Sequence, residues 1–308
     1  MKIAVIGSGA MGSLFGGRLA ETGHTVMLFD IFEEHVKRIN QQGLIIQDAA
    51  DGKERTVQPR ATTDPMEAAG YDIYILFVKS TATEAAGRQF VKIVGPDAVV
   101  ITLQNGYGNE EILRKIFGPG RTAAGVTSQG ATFLGPGKIR HAGKGPTHLC
   151  MSDRKNEKLT AFVEALEKAG FEAHVEENIQ DLIWSKLVIN VGINALTAVT
   201  GVENGRLLDF EGTKAVMKDL VDEVLQVVQA KGITLTYSDA FQMTMDVAKK
   251  TAANRSSMLQ DFDKGRKTEI DFINGAVVRE AENLGIGVPV NKTMTHLVKM
   301  MEAREVKI

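Results

Sequence analysis

Lys2-Ile3-Ala4-Val5-Ile6-Gly7-Ser8-Gly9-Ala10-Met11-Gly12 opens the chain, and how it reads decides the fold. Five residues of strand character run straight into GxGxxG, and a helical pattern over Gly12–Thr22 follows at once. A lone GxGxxG is a weak signal; a strand before it and a helix after it give it meaning. In such a turn Gly7 permits the tight bend, Gly9 lets backbone approach a pyrophosphate, and Gly12 lets the helix pack on the strand. Ser8, Ala10 and Met11 complete the loop. The helix start then offers N–H groups and the positive end of its dipole to phosphates. A glycine-rich turn with no ligand is the alternative reading.

Outward from this loop, short apolar runs alternate with helical patterns. Strands are expected at Thr25–Phe29, Ile73–Phe77, Ala98–Leu103, Thr122–Val126, Thr147–Met151 and Glu172–Val175, and helices at Glu33–Gln41 and Asn109–Phe117. Near-continuous apolar strands separated by helices predict an α/β unit with a mostly parallel, two-sided sheet. The glycine-rich stretch Val126–Met151 is open to an antiparallel reading. Past Asn178 the strand signal fades. Gln180–Thr200, Thr213–Lys231, Ser238–Ala252, Thr268–Leu284 and Asn291–Arg304 all read as helices. The change from mixed to nearly all-helical patterning sets a boundary, giving domains at 1–177 and 178–308.

Asp30 ends the second strand at the distance where an acid meets an adenosine ribose. A carboxylate there accepts hydrogen bonds from ribose hydroxyls and repels a 2′-phosphate. N-capping of the next helix is its other reading. Lys37 and Arg38, on that helix, remain able to attract a phosphate.

The 308 residues carry a formal charge of −2, with 44% hydrophobic and 24% charged side chains, and no basic run. This argues against nucleic-acid and membrane partners. The single cysteine, Cys150, precludes an intrachain disulfide and reads as inert core. No uninterrupted apolar stretch reaches bilayer length and no secretory pattern opens the chain, so a cytoplasmic protein is expected. The six histidines show no ligand pairing, so no metal is expected. His141 reads as a loop residue with local hydrogen bonds, with a cofactor contact as the alternative.

The stretch Leu182–Leu196 is apolar nearly all round, the mark of a helix buried on several sides. Its exceptions, Lys186, Asn190 and Asn194, recur every four residues and form one stripe. Burying these groups without partners costs several kcal/mol, so the stripe is expected to line a polar cleft. An interhelical hydrogen-bond network, or a lysine with its head in water, is the bland alternative. In a cleft, desolvation lowers a lysine from roughly 10.4 and makes it a proton donor near neutral pH. Ser256–Asp261 and Thr268–Gly275 form a second polar cluster. Thr268 and Asp271 have the spacing of a capping box, and on composition alone Glu269, just inside that helix start, reads as structural.

With these residues laid out, the chain resembles the ketopantoate reductase (2-dehydropantoate 2-reductase) family over essentially its whole length. The resemblance is carried by Gly7–Gly12, Val78-Lys79-Ser80, Leu103-Gln104-Asn105-Gly106, Lys186…Asn190…Asn194, Ser256–Asp261 and Thr268–Gly275. The last three together are specific. The resemblance implies a Rossmann domain followed by an all-helical domain similar to those of 6-phosphogluconate dehydrogenase relatives. It implies reduction of ketopantoate to D-pantoate, on the route to pantothenate and coenzyme A, in a cleft between two domains. On it, Lys186 is the general acid that protonates the carbonyl oxygen, and Glu269 holds the lysine or the substrate. Asn190 and Asn194 bind the substrate hydroxyl and carbonyl, and Ser257 binds its carboxylate. Lys79 and Asn105 lie after strand ends near the nicotinamide ribose and the reacting carbon, so Asn105 serves substrate and cofactor alike. The expected partner is a small 2-keto acid, and a homodimer is admitted.

Two positions depart from the family pattern. Many members carry an arginine after the second strand for the NADP 2′-phosphate; here the sequence is Asp30-Ile31. Ser80-Thr81-Ala82-Thr83 lacks the glutamine often found after the lysine. Both favour NADH over NADPH. Two rivals stand beside this reading: an NAD-dependent D-2-hydroxyacid dehydrogenase of the mandelate type on the same scaffold, and a cofactor-binding sensor without catalysis.

Overall fold

The computed structural model describes residues 1–152 and 156–305; residues 153–155 and 306–308, within the two expected domain ranges, lie outside the described residues. The chain begins β1 (Lys2–Ile6), α1 (Ala10–Glu21), β2 (Thr25–Phe29), α2 (Glu33–Gln42), β3 (Leu44–Asp48), β4 (Glu54–Val57), β5 (Arg60–Thr62) and β6 (Ile73–Leu76). It continues with α3 (Thr83–Phe90), β7 (Val99–Thr102), α4 (Asn109–Phe117), β8 (Thr122–Thr127), β9 (Gly130–Gly135), β10 (Lys138–Gly143), β11 (Thr147–Met151), α5 (Glu157–Lys168) and β12 (Ala173–Val175). Helices follow: α6 (Gln180–Thr200), α7 (Glu211–Ala230), α8 (Ala240–Lys250), α9 (Ser257–Asp263), α10 (Asn274–Leu284) and α11 (Pro289–Glu305). Packing divides the chain into two compact units. Among the described residues, the first holds Met1–Gln104 and Asn109–Ile179, and the second holds Asn105–Gly108 and those from Gln180 to Glu305.

In the first unit an eight-stranded sheet has the order β12-β11-β8-β7-β6-β1-β2-β5. Every neighbouring pair is parallel except β8–β11. Alternate residues of β1 feed different cores: Ile3 and Val5 enter one, Ala4 and Ile6 the other. A strand buried on both faces must be apolar throughout, which is why these strands read as runs rather than alternations. The chain moves outward from β1 to β2 and β5, then returns to β6 on the other side. The crevice at the carboxyl ends of β1 and β6 is the point where ligands bind in such sheets.

A second, four-stranded sheet, β4-β3-β10-β9, was not expected from the sequence. Strands β9 and β10 pair antiparallel, as Val126–Met151 allowed, but β10 also pairs parallel with β3, about which the local sequence is silent. Helix α1 lies between the two sheets, and adjacent glycines explain how. A Cβ on Gly16 would meet Leu28 Cδ2 of the large sheet at 2.3 Å; one on Gly17 would meet Ile46 Cδ1 of the small sheet at 2.8 Å. Each helical glycine costs roughly 1 kcal/mol relative to alanine, and the close approach of a sheet on either side offsets it.

In the second unit α6 is the central helix. Among the described residues it is the one helix long and apolar enough to cross a membrane, a qualification of the expectation that no stretch reaches that length; 67% of its most apolar window is buried inside the protein. Gly192 is what lets α8 approach, since a Cβ there would lie 2.7 Å from Thr244 Cγ2. Buried Glu223 of α7 accepts hydrogen bonds from the backbone N–H groups of Val290 (2.7 Å) and Asn291 (2.8 Å), capping α11 from another helix.

The expected helix over Thr268–Leu284 is corrected. A 3-10 turn covers Ile270–Phe272, and α10 starts only at Asn274. Thr268 Oγ1 accepts from Ile270 N at 3.2 Å, and Asp271 pairs with Lys299 at 2.6 Å, so the two do not form a capping box. His141 lies in β10, not a loop, and bonds Gln129. Cys150 is half-buried rather than core; burial is also the main reason its thiol is raised above the ordinary range.

Candidate active site

At the end of β1 the chain turns through Gly7, whose φ of 91° lies in the region that glycine favours. A Cβ there would fall 2.7 Å from Val78 N, in the segment that follows β6. A Cβ on Gly12 would fall 2.1 Å from Gly7 O and 3.0 Å from Val5 Cγ1, so only glycine lets α1 seat on β1. Gly9 differs from both: it is exposed, and nothing lies within 4 Å of where its Cβ would project. It is also the N-cap residue of α1, which has no side-chain cap and no acid in its first turn. Uncapped helix N–H groups beside an open, Cβ-free approach fit a pyrophosphate. Ala10 and Met11 form the first turn, and Ser8 is buried beneath the loop.

Asp30 follows β2 directly. Its Oδ1 accepts from Phe32 N at 3.0 Å and its Oδ2 from Ser8 Oγ at 3.4 Å. It does not cap α2, whose N-cap residue is Phe32. Two bonds leave a carboxylate with acceptor capacity for ribose hydroxyls. Beside it Ile31 is 84% exposed, and Lys37 and Arg38 are exposed along α2. Lys79 is exposed just after β6. Below it lies a polar network that sequence reading missed. Gln104 donates to Val78 O (2.7 Å) and Thr83 Oγ1 (2.8 Å), Thr83 donates to Asn109 Oδ1 (2.8 Å), and Asn109 donates to Ser80 Oγ (3.1 Å). It ties together the segments after β6 and β7. No local pattern signals it, because Thr83 and Asn109 are 26 residues apart.

In the helical unit three distant segments converge. Lys186, Asn190 and Asn194 share one face of α6; the first two are half-buried and Asn194 is buried. Glu269, 6% exposed, precedes the 3-10 turn Ile270–Phe272, and its charge acts on Lys186. Burial lowers the Lys186 ammonium to about 8, with Glu269 opposing the shift. The segment Asn105–Gly108 joins them: Tyr107 N donates to Phe272 O at 2.8 Å, and a Cβ on Gly106 would fall 2.4 Å from that oxygen. The Tyr107 ring lies 5.0 Å from that of Trp184, with Lys231 over both rings and paired to Glu280. Asn105 is thereby carried to the turn that bears Glu269, and Trp184 stands two residues before Lys186.

Ser257 is the first residue of α9, whose N-cap, Ser256, accepts from Leu259 N at 3.1 Å. Thr197 Oγ1 donates to Ser256 Oγ at 2.7 Å, fastening α9 to the α6 turn after Asn194. Sequence reading missed Thr197; its place three residues past Asn194 is the signal that was available. Among the described residues no group of three or more His, Cys, Asp or Glu side chains is placed to hold a metal ion.

A parallel sheet with a glycine-rich turn at its switch point, and a helical unit with a desolvated lysine beside a buried carboxylate, fit a nicotinamide-dependent oxidoreductase. The chain belongs to the ketopantoate reductase PanE/ApbA family. Models of that family match residues 3–153, and of its C-terminal region residues 178–302. The chain is 36% identical to a 2-dehydropantoate 2-reductase of Halobacterium salinarum, covering 98% of this chain and 99% of that one. It is similar to the crystal structure of a PanE/ApbA family ketopantoate reductase from Ralstonia eutropha JMP134, with a TM-score of 0.92 and 33% identity over the whole of both chains. It is also similar to a D-mandelate dehydrogenase solved with NADH and anilino(oxo)acetate, with a TM-score of 0.92 and 30% identity over 99% of each chain.

Proposed function

We propose that the protein is a 2-dehydropantoate 2-reductase, in which Lys186 protonates the ketone oxygen as the carbonyl is reduced. The observation that carries this is the convergence of Lys186, Glu269 and the Asn105 segment in the helical unit, with the lysine lowered to about 8. The activity is the one named for relatives 32–36% identical over nearly their full length. The nicotinamide dinucleotide supplies the hydride when bound.

A ketone gaining hydride develops alkoxide charge, and a protonated Lys186 aimed at that oxygen stabilises the charge and then neutralises it. Glu269 keeps the ammonium oriented and charged despite burial. Asn190 and Asn194 bind the substrate hydroxyl and carbonyl, Ser257 at the start of α9 takes its carboxylate, and Asn105 reaches both substrate and cofactor. In the other unit Gly7–Gly12 hold the pyrophosphate and Lys79 the nicotinamide ribose. Residues 1–177 thus serve the dinucleotide and residues 178–308 the keto acid, with Asn105 contributed to the second task from within the first range.

NADH is the preferred donor in this reading. Asp30 repels a 2′-phosphate, and Ile31 replaces a cation with an exposed apolar side chain. Initial rates of ketopantoate reduction with NADH and NADPH side by side test both parts. Fast turnover with NADH preferred is expected, and Asp30→Ala should narrow the preference several-fold, on the order of 1 kcal/mol. Absence of turnover with either cofactor would sink the reaction. An unchanged preference in Asp30→Ala would return Asp30 to a turn-stabilising role. The likeness to D-mandelate dehydrogenase supports a second reading, which gains if an aromatic or branched 2-keto acid is reduced faster than ketopantoate.

A further inference from the structure

His35 takes no part in the chemistry above, yet it is 1% exposed and both its ring nitrogens are engaged. Gly137 N lies 2.9 Å from Nδ1, and Ser13 Oγ lies 3.1 Å from Nε2. Ser13 Oγ in turn lies 2.6 Å from Ser8 O, within the glycine loop. The proton inventory has one solution. A backbone N–H only donates, so Nδ1 is the acceptor and carries no proton. Nε2 therefore bears the ring proton and donates it to Ser13 Oγ, whose own proton goes to the Ser8 carbonyl.

The peptide between Ser8 and Gly9 is planar, and in a trans peptide the carbonyl and the N–H point opposite ways. Drawing the Ser8 carbonyl inward to Ser13 therefore turns the Gly9 N–H outward, on the side where Gly9 is exposed. We propose that Ser13 and His35 are positioning residues for the dinucleotide, setting the Ser8–Gly9 peptide so that Gly9 N–H is aimed at a pyrophosphate oxygen. The relay is anchored at Gly137, in the turn between β9 and β10. The small sheet thereby acquires a role: it braces α1 through Gly17 and fixes the His35 tautomer.

The surroundings keep the ring neutral. Burial lowers the His35 pKa below its ordinary value, against the opposing charge of Asp30 and a hydrogen bond to the Ser8 backbone. The rings of Phe32 and Phe133 flank it, with centroids 6.5 and 5.1 Å away. A second ring proton would set two donors face to face at Gly137.

This inference rests on the reading of Gly7–Gly12 as the dinucleotide loop. The test is titration of NADH and of ADP-ribose, which keeps the pyrophosphate and lacks nicotinamide, into the wild type and Ser13→Ala, His35→Ala, His35→Gln and the double alanine variant. Each is measured well below its melting temperature. Ser13→Ala should weaken both ligands about tenfold, the loss of one hydrogen bond's worth of alignment. His35→Ala should weaken them less, His35→Gln should recover part of that loss, and the double variant should bind no worse than Ser13→Ala. Unchanged affinity in a folded Ser13→Ala overturns the proposal, as do losses that multiply in the double variant, since residues on one relay cannot act independently. If His35→Ala does not fold, Ser13→Ala, which deletes a single oxygen, and His35→Gln still decide. A wild type that binds neither ligand overturns the loop reading and this proposal together; a wild type that binds beside unaffected variants overturns the proposal alone.

Discussion

In the proposed function, helices α1 and α6 carry the two halves of the task by opposite means. Helix α1 offers backbone: an uncapped N-terminus, an open Gly9, and glycines at 12, 16 and 17 that let strands close on it. Helix α6 offers side chains: Lys186, Asn190 and Asn194, one stripe on a mostly apolar helix. A phosphate can be met by N–H groups that every residue owns, so α1 is specialised by removing side chains. A proton must come from a titratable group, so α6 has to keep a lysine where burial penalises its charge. Added carbon should therefore damage α1, and lost nitrogen should damage α6.

The largest break is expected at Lys186→Ala, which should lower turnover about 100- to 10,000-fold while NADH affinity holds, because the acid is lost and the dinucleotide loop is untouched. Near-normal rates in that variant, with NADH binding measured alongside, would take Lys186 out of the chemistry.

Next is pH. As the acid, Lys186 must hold a proton, which it does below about 8 and not above. Thus kcat/KM for keto acid reduction should fall about tenfold per pH unit above 8, and the reverse oxidation should rise through the same region. The lowered value also links to stability. Between about 8 and 10.5 the unfolded chain binds the proton that the folded one has lost, so the Lys186 contribution to stability rises with pH over that window. A reduction profile flat from pH 7 to 10, measured at saturating cofactor, would contradict the assignment.

The smallest effects separate two glycines of α1. Gly9→Ala adds a methyl where no protein atom lies within 4 Å, so the melting temperature should hold while NADH affinity falls several-fold, on the order of 1 kcal/mol. Gly16→Ala puts a methyl 2.3 Å from Leu28 Cδ2, so stability should fall by about 1 kcal/mol after the gain in helix propensity, with affinity less affected. Denaturant melts and NADH titrations on both variants would read the difference; exchanged outcomes would mean that Gly9 packs and Gly16 binds.

The β1–α1 turn, the strands β1, β2 and β11, and the whole of α6 were legible because their signals are local: glycine spacing, continuous apolar runs, and a polar residue every fourth position. The pairing of β3 with β10 was not, since it joins Ile45 to Lys138. Neither was the late start of α10. The segment before it surrenders helical hydrogen bonding to hold Glu269 and to offer the Phe272 carbonyl to Tyr107, and nothing in residues 268–275 encodes that partner.

By itself, then, the sequence determined which groups are present: a glycine turn open to phosphates, an acid directly after the second strand, a lysine and two asparagines on one helical face. Tertiary structure decided what those groups become. It brought Glu269 to Lys186, moved Asn105–Gly108 into the helical unit, and set Gly137 against His35. The physical reason is range. Periodicity and turn chemistry act over a few residues and can be read along the chain, whereas desolvation and hydrogen bonding depend on neighbours that only folding supplies.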